Sequence, residues 1–550
     1  MFIMYKNLKQ IVLKGSLALT VILGVSSCET TALEILDNPN ALTPGQSDIN
    51  LFLNSIELTT NTFFQNVTNE GMQVSRTLVM AGPTYTNAYA PSNFDDAWTN
   101  AYANVFADVN AMIPVAEEQG FFIHVGIAQI LKAYVSLTLV DYFGDVPFEE
   151  AGSGVSLNPK TDSGASVYAA ADQLLTDGIA NLAKGGPAPT TDLYYAGNLT
   201  RWRKFANTLK IKLLLNTRLV DNTAASKINA IVASGEFINA AADDFIFRYA
   251  TTNANPDSRH PQFINNFDQA ADVNTYMSNS FMDHMIRGKV ITDPRLRYYF
   301  YRQTLTITTN PQDLPCITET RPAHWPNDIV FCNAQNGYWG RDHGDNDGIP
   351  PDGGLRTAFG LYPVGSRFDA NQGLSSNGRA MGTTGSGISP IMLSSYVQFM
   401  LAENALNGGA GNARTFLEAG VRQSISKVMT FRDDLVTQSF KPSAGDVDDY
   451  VANVLSLYDA AGTNDAKLEV VAREYWIAAF GNGVETYNLV RRTGKPANLQ
   501  PTLNATPGSF IRSFLYPNTF VSNNLNASQK PGSGVEIPVF WDTNPAGLVK

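Results

Sequence analysis

Apolar positions recur every three or four residues in several blocks, and each block predicts an amphipathic helix. Phe94, Trp98, Tyr102, Val105 and Val109 fall on one helical face. Asn93 is placed as the N-cap, with Asp95 and Asp96 in the first turn, where the helix dipole favours carboxylates. Ile127, Leu131, Tyr134 and Leu137 mark a second helix over about 126–142, stopped by Gly144. A third, about 200–220, carries Trp202, Phe205, Leu209 and Leu213 behind a Thr200 cap. Ser389-Pro390 reads as a cap and first-turn pair that opens a helix through Tyr396 and Phe399. Further helical patterns cover roughly 412–430, 465–480 and 485–491. The blocks come in pairs with short breaks, as in stacked tetratricopeptide hairpins. No clean repeat of ~34 residues is present, so an irregular helical domain is the plainer alternative.

The middle of the chain loses this periodicity. Residues 332–388 hold 13 Gly, about three times the usual share of ~7%. The region from about 240 to 390 is therefore expected to be irregular with short strands, and long loop-rich insertions usually carry function. The tail, 493–550, is also punctuated by Pro, Asn and Gly. The expected class is mainly α: a helical scaffold with lobes at about 45–235 and 390–492, joined around a loop-rich insertion.

Composition narrows the class further. Apolar residues make up 44% of the 550, charged residues only 16%, and there are 30 Phe, 22 Tyr and 6 Trp. That excludes a disordered chain and a coiled coil. A net charge of −11 argues against broad nucleic-acid binding. At the start, Lys6, Lys9 and Lys14 precede a short apolar stretch, 16–25, and then Val25-Ser26-Ser27-Cys28. This reads as a secretory signal, residues 1–27, ending in a bacterial lipobox, with Cys28 as the lipidated residue. An ordinary signal peptide with a chance Cys is the alternative. Acyl chains at ~0.8 kcal/mol per buried CH2 make a lasting anchor. Losing the three lysines takes the net charge from −11 to −14. No later stretch reaches ~18 consecutive apolar residues, the length that reads as a membrane span. Cys316 and Cys332 remain, either as a disulfide, expected in an exported protein, or as two separate thiols.

Catalytic signatures are missing from the sequence. There is no G-x-S-x-G elbow and no H-E-x-x-H helix. His124, His260, His284, His324 and His343 are scattered and read as structural or surface residues. Glu149-Glu150 reads as a solvated pair. One segment, Arg341-Asp342-His343-Gly344-Asp345-Asn346-Asp347-Gly348, is rich in oxygen ligands. It fails as an EF-hand, but Asp342, Asp345 and Asp347 offer a looser Ca2+ site, against a polar turn with Asx caps. No other cofactor is expected.

Several segments match one family in order. Asp141-Tyr142-Phe143-Gly144-Asp145-Val146-Pro147-Phe148 resembles the "YFGDVP" segment of SusD/RagB-type lipoproteins. The stretch Trp202-Arg203-Lys204-Phe205-Ala206-Asn207-Thr208-Leu209-Lys210 resembles their "W-x-K-F-A-N-S-L" helix. The stretch from Trp476 to Arg491-Arg492-Thr493-Gly494 resembles their C-terminal "N-G-x-E…R-R-T-G" segment, and Leu36-Asp37-Asn38-Pro39-Asn40 their mature start. Each motif has a structural reading first: Trp202 and Phe205 as core anchors, Arg491 and Arg492 paired with carboxylates such as Glu485.

The resemblance implies a tetratricopeptide-like scaffold and a non-catalytic lipoprotein of the outer membrane, facing the cell surface. It implies capture of oligosaccharides for a SusC-type TonB-dependent transporter, with the membrane touched only by the lipid anchor. The alternatives are a RagB-like peptide-capturing lipoprotein of a peptide importer, a surface adhesin, or a glycoside hydrolase. A neutral sugar needs aromatic faces and amide or hydroxyl partners, so loop aromatics are the candidates. Tyr85, Asn87, Tyr89 and Asn93 lie in or at the end of the 82–93 loop, which corresponds in order to a ligand-contacting region in family members. Trp325, Tyr338, Trp339 and Arg341 lie in the central loops, and Trp541 in the tail.

Overall fold

The computed structural model describes residues 48–152, 156–268, 275–287, 289–348, 350–373 and 385–549. The signal region, Cys28 and the 36–40 segment lie outside the described residues. The first helix, α1 (Ile49–Val74), is capped by the Asp48 carboxylate, which accepts from the Asn50 N–H. It is followed by α2 (Ala107–Glu118), α3 (Phe122–Phe143), α4 (Gly164–Lys184), α5 (Leu199–Thr217) and α6 (Ala224–Ser234). A short helix, α7 (Asn279–Ile286), lies in the central region. The second helical run is α8 (Ser394–Leu406), α9 (Ala413–Met429), α10 (Ala444–Ala460), α11 (Asn464–Ala478) and α12 (Gly483–Thr493).

The helices pair as antiparallel neighbours, α3 on α4 and α8 on α9, with α5 against α4, α6 and α8. Helix α12 returns to α1, so the two ends of the scaffold are packed together. From Asp48 onward the chain is one compact unit. Helix α3 is long and apolar enough to cross a membrane by length, but 94% of its apolar window is buried inside the protein. Among the described residues there are four short strands: β1 (Phe245–Arg248) pairs antiparallel with β4 (Ile388–Met392), and β2 (Phe300–Tyr301) with β3 (Ala358–Phe359).

Three sequence expectations shift. Asn93 is not the cap: it sits in a 3-10 turn, Pro91–Phe94, and the α-helix begins at Asp95 before a π-helical stretch, Asn100–Phe106. The third helix is capped by Asn198, whose side chain accepts from Arg201 N–H, rather than by Thr200. Ser389-Pro390 lies in β4, and α8 starts five residues after Ser389. The reason is tertiary: Asp244, just before β1, accepts from the Ser394 N–H at 2.7 Å and so sets the helix start. Gly144 does end α3, with φ +83°, a conformation only glycine adopts without strain.

One buried carboxyl group sets a pH dependence. Glu57, fully buried on α1, accepts from the Leu193 N–H at 3.0 Å. Burial first, and the neighbouring Asp192 carboxylate second, push it up to about 9 from 4.5. The folded protein therefore keeps a proton that the unfolded chain releases. Stability is greatest below about pH 4.5 on this account and falls as pH rises through about 9. Glu57→Gln supplies the neutral form at every pH. Its melting temperature at pH 8 should exceed that of the parent, and the gap should close toward pH 5. Parallel melting curves across this range would refute the assignment.

Candidate functional site

The family-like motifs meet in one buried network. Asp141, fully buried at the end of α3, accepts from the Tyr168 hydroxyl, from Trp541 Nε1 at 3.0 Å and from Asn488 Nδ2 at 2.6 Å. Asn488 Oδ1 accepts from Arg491 Nη2 at 2.7 Å. Arg491 stacks on Tyr487, with its guanidinium 3.6 Å from the ring centre. Arg492 makes a two-pronged contact with Glu403, at 2.8 and 2.9 Å, and reaches Asn216 Oδ1 at 2.7 Å. Glu485 pairs with Lys212 instead of either arginine. These residues hold α3, α4, α5, α8, α12 and the tail in register, so the motifs build the scaffold. Trp541 belongs to this network and is fully buried.

The central loops hold most of the sequence candidates, and packing consumes them. Cys316 and Cys332 are bonded, with Cα atoms 5.5 Å apart, and Trp339 packs on Cys332 and Leu314 with no exposed surface. Tyr338 is buried against Arg302, its hydroxyl donating to Asp369 at 3.0 Å. Trp325 is buried and donates to the Thr502 carbonyl at 3.0 Å. Tyr85 is buried between His343 and Phe510, and its hydroxyl accepts from Arg76. Arg341 is buried 4.0 Å from the centre of the Tyr276 ring and donates to the Gly348 carbonyl. All five are therefore corrected from ligand contacts to packing residues. The loop segments still converge: Tyr85 N–H reaches Pro507 O, Gly344 N–H reaches Met80 O, and Leu503 N–H reaches His343 O.

The Ca2+ reading is also corrected. Among the described residues no group of three or more His, Cys, Asp and Glu side chains lies together as a metal site. Asp342 turns inward, accepting from Cys332 N–H at 2.7 Å, Gln500 at 2.8 Å and Asn279 at 3.0 Å. Burial raises its carboxyl to about 6. Asp345 pairs with Arg341 and its carboxylate accepts from the Asp347 N–H, the geometry of a polar turn.

Of the candidates in the 82–93 loop, Asn87 and Asn93 stay exposed and Tyr89 is half-buried. Tyr89 donates its hydroxyl to Gln73 Oε1 at 3.0 Å and meets Phe514 edge-on. This leads to a feature the loop-centred reading missed. Asn66, Asn69, Glu70 and Gln73 form a half-buried polar stripe on α1 at helical spacing. Neighbouring amides extend it: Asn100 donates to Asn66, Asn104 to Asn100, and Gln262 to Asn69, at 2.9 to 3.2 Å. Burial raises the Glu70 carboxyl to about 7, and its Oε2 has no hydrogen-bond partner. The accepting oxygens of Asn66, Asn69 and Gln73 are engaged within the protein, and among the described residues nothing accepts from their amide hydrogens. The signal was present in the sequence as polar residues at i, i+3, i+4 and i+7, which share one helical face. Among the described residues every Phe, Tyr and Trp is at least partly buried. A ligand at this face therefore meets amides first and aromatic edges second.

The chain is similar to known proteins over most of its length. Residues 39–312 match a family model described as "Starch-binding associating with outer membrane", and residues 368–531 match one described as "Susd and RagB outer membrane lipoprotein". A SusD homologue of Bacteroides fragilis is similar at 21% identity and TM-score 0.66, over 91% of this chain and 100% of that one. A chitin-binding SusD homologue of Flavobacterium johnsoniae is similar at 19% identity and TM-score 0.60, over 90% and 99%. A SusD homologue of Bacteroides uniformis is similar at 18% identity and TM-score 0.65, over 90% and 100%. No curated protein matches the sequence.

Proposed function

Because the chain belongs to the SusD/RagB family of nutrient-binding outer-membrane lipoproteins, which bind without catalysis, we propose that it captures a glycan at the surface formed by the α1 stripe and the 82–93 loop. It then passes the glycan to a SusC-type TonB-dependent transporter. A lipid anchor at Cys28 keeps it at high local concentration beside that channel. The observation that carries the reading is the run of half-buried carboxamides beside Tyr89. The amide hydrogens left over on Asn66, Asn69 and Gln73 donate to ligand hydroxyl oxygens, and the accessible part of the Tyr89 ring covers an apolar C–H face. One similar structure is of a chitin-binding protein, which supports a glycan over a peptide.

A glycan array probed with the chain from residue 29, beside a peptide library, tests this reading. With a glycan in hand, the combined Gln73→Ala and Tyr89→Ala change should weaken binding at least tenfold, about 1.4 kcal/mol, at an unchanged melting temperature. Full affinity in that variant would remove the site, and binding confined to peptides would replace the ligand class. Tyr85 and Trp339 are unsuitable for the same test, since their replacement reports on folding.

A further inference from the structure

A cavity of about 740 Å3 shares no residue with the α1 stripe. It lies between the 291–302 segment, the central loops and the turn before α10, and its size suits a sugar ring or a peptide end. Two arginines form its wall. Arg297 stacks 5.0 Å from the centre of the Phe440 ring, and Arg302 stacks 4.6 Å from that of Tyr338. Both turn to one fully buried carboxylate, Asp369, with Arg302 Nε at 2.6 Å and Arg297 Nη1 at 3.8 Å. Both also donate to Asn371 Oδ1. Two cations thus share one anion.

The other charges around the cavity are two ion pairs and one carboxylate, Asp446, that no cation pairs among the described residues. Lys441 donates to Asp433 at 2.6 Å, and Asp293 is enclosed by Arg295 and the Tyr450 hydroxyl. Asp446 is held by the Ser443 N–H and hydroxyl at the start of α10, where the helix dipole offsets part of its charge. Donors are left over on Arg297, Asn371 and Lys441, and an acceptor on Asp446 Oδ1, since both bonds from Ser443 go to its Oδ2. Arg297 has Nη1 engaged, and among the described residues nothing accepts from its Nε or Nη2. Asn371 has its oxygen engaged by both arginines, which leaves its amide hydrogens. Lys441 has two ammonium hydrogens beyond its bond to Asp433.

We propose that this cavity is a second binding site, for a ligand bearing a carboxylate, with Arg297 and Lys441 as the clamp and Phe440 as the apolar floor. A guanidinium fork already fixed by stacking and by Asn371 matches a planar carboxylate and loses little freedom on binding. Two sources carry this group: a uronic acid residue and the C-terminus of a peptide. The site is independent of the glycan surface above.

Titration calorimetry on the purified full chain distinguishes the outcomes. The probes are tetragalacturonate and its methyl ester, and one tetrapeptide as free acid and as amide. One of the two acids should bind, its neutral partner should not, and added salt should weaken the complex. Arg297→Gln should weaken it at least tenfold, and Lys441→Gln at least threefold, while Tyr89→Ala leaves it unchanged. Both Arg297 and Lys441 are part-exposed, so neither variant is expected to unfold the protein, and melting curves verify this. Binding of the sugar acid alone assigns a uronate, and of the peptide acid alone a C-terminus. The proposal is overturned if neither acid binds, if ester or amide binds equally, or if both variants bind at parental affinity.

Discussion

Gly483→Ala should cost about 3 kcal/mol or more, and is expected to leave little folded protein at 37 °C. Overpacking usually costs about 1–3 kcal/mol because side chains can shift. Here the obstacle is backbone. A Cβ on Gly483 would lie 1.8 Å from the Thr68 carbonyl oxygen and 2.5 Å from the Met72 nitrogen of α1. The contact is reciprocal, since a Cβ on Gly71 would lie 2.3 Å from the Gly483 carbonyl oxygen. Thr68 adds to the lock, its hydroxyl accepting from Gly483 N–H at 2.7 Å. This crossing is where the second helical run closes on the first, so separating the helices by an ångström would disturb the whole scaffold. Urea unfolding of Gly483→Ala, with Gly462→Ala as control, reads the effect. A Cβ on Gly462 would meet nothing within 4 Å, so its variant should unfold at nearly the parental midpoint. Equal midpoints for both variants would contradict the close-contact account.

Asp141→Ala is the second large effect. It strips the acceptor from three donors, Tyr168, Trp541 and Asn488, all buried. Each buried donor left unpaired costs roughly 1–3 kcal/mol, so a loss of about 3 kcal/mol or more is expected. The loss should begin at the tail, because Trp541 Nε1 is tied to this carboxylate. Limited proteolysis should therefore cut the C-terminal tail of Asp141→Ala under conditions where the parent is intact, and tryptophan emission should shift red. Asp141→Asn keeps one oxygen and should fall between the two. A tail that stays protected in Asp141→Ala would mean that Trp541 is held by packing alone.

These two residues also show how much of the protein was legible in advance. Gly483 and Asp141 both sit in stretches whose resemblance to a family was visible, yet their roles were not. The reason is that each role depends on a partner several hundred positions away. Helices with a strong apolar stripe were readable because periodicity is local. Helix starts were less so: Asp244 sets the start of α8 across the fold, where the local Ser389-Pro390 pair signals a different one. The ligand candidates fared worst, for a physical reason. A tyrosine or tryptophan in a glycine-rich loop looks available, but this loop region is itself packed, so Tyr85, Trp325, Tyr338 and Trp339 lie inside.

The sequence alone determined the helical class, the division into two helical runs around an irregular centre, and the family. The first two follow from spacing and composition, and the family from the resemblance of short contiguous motifs, none of which needs knowledge of what lies opposite. Only the tertiary structure decided which aromatics are core, that the three aspartates of 342–347 do not converge, and that Cys316 meets Cys332. It also decided that a half-buried polar stripe on α1 lies beside Tyr89 and that two arginines share Asp369. Burial and charge balance are properties of the whole packed chain, and a residue's own neighbours in sequence do not contain them.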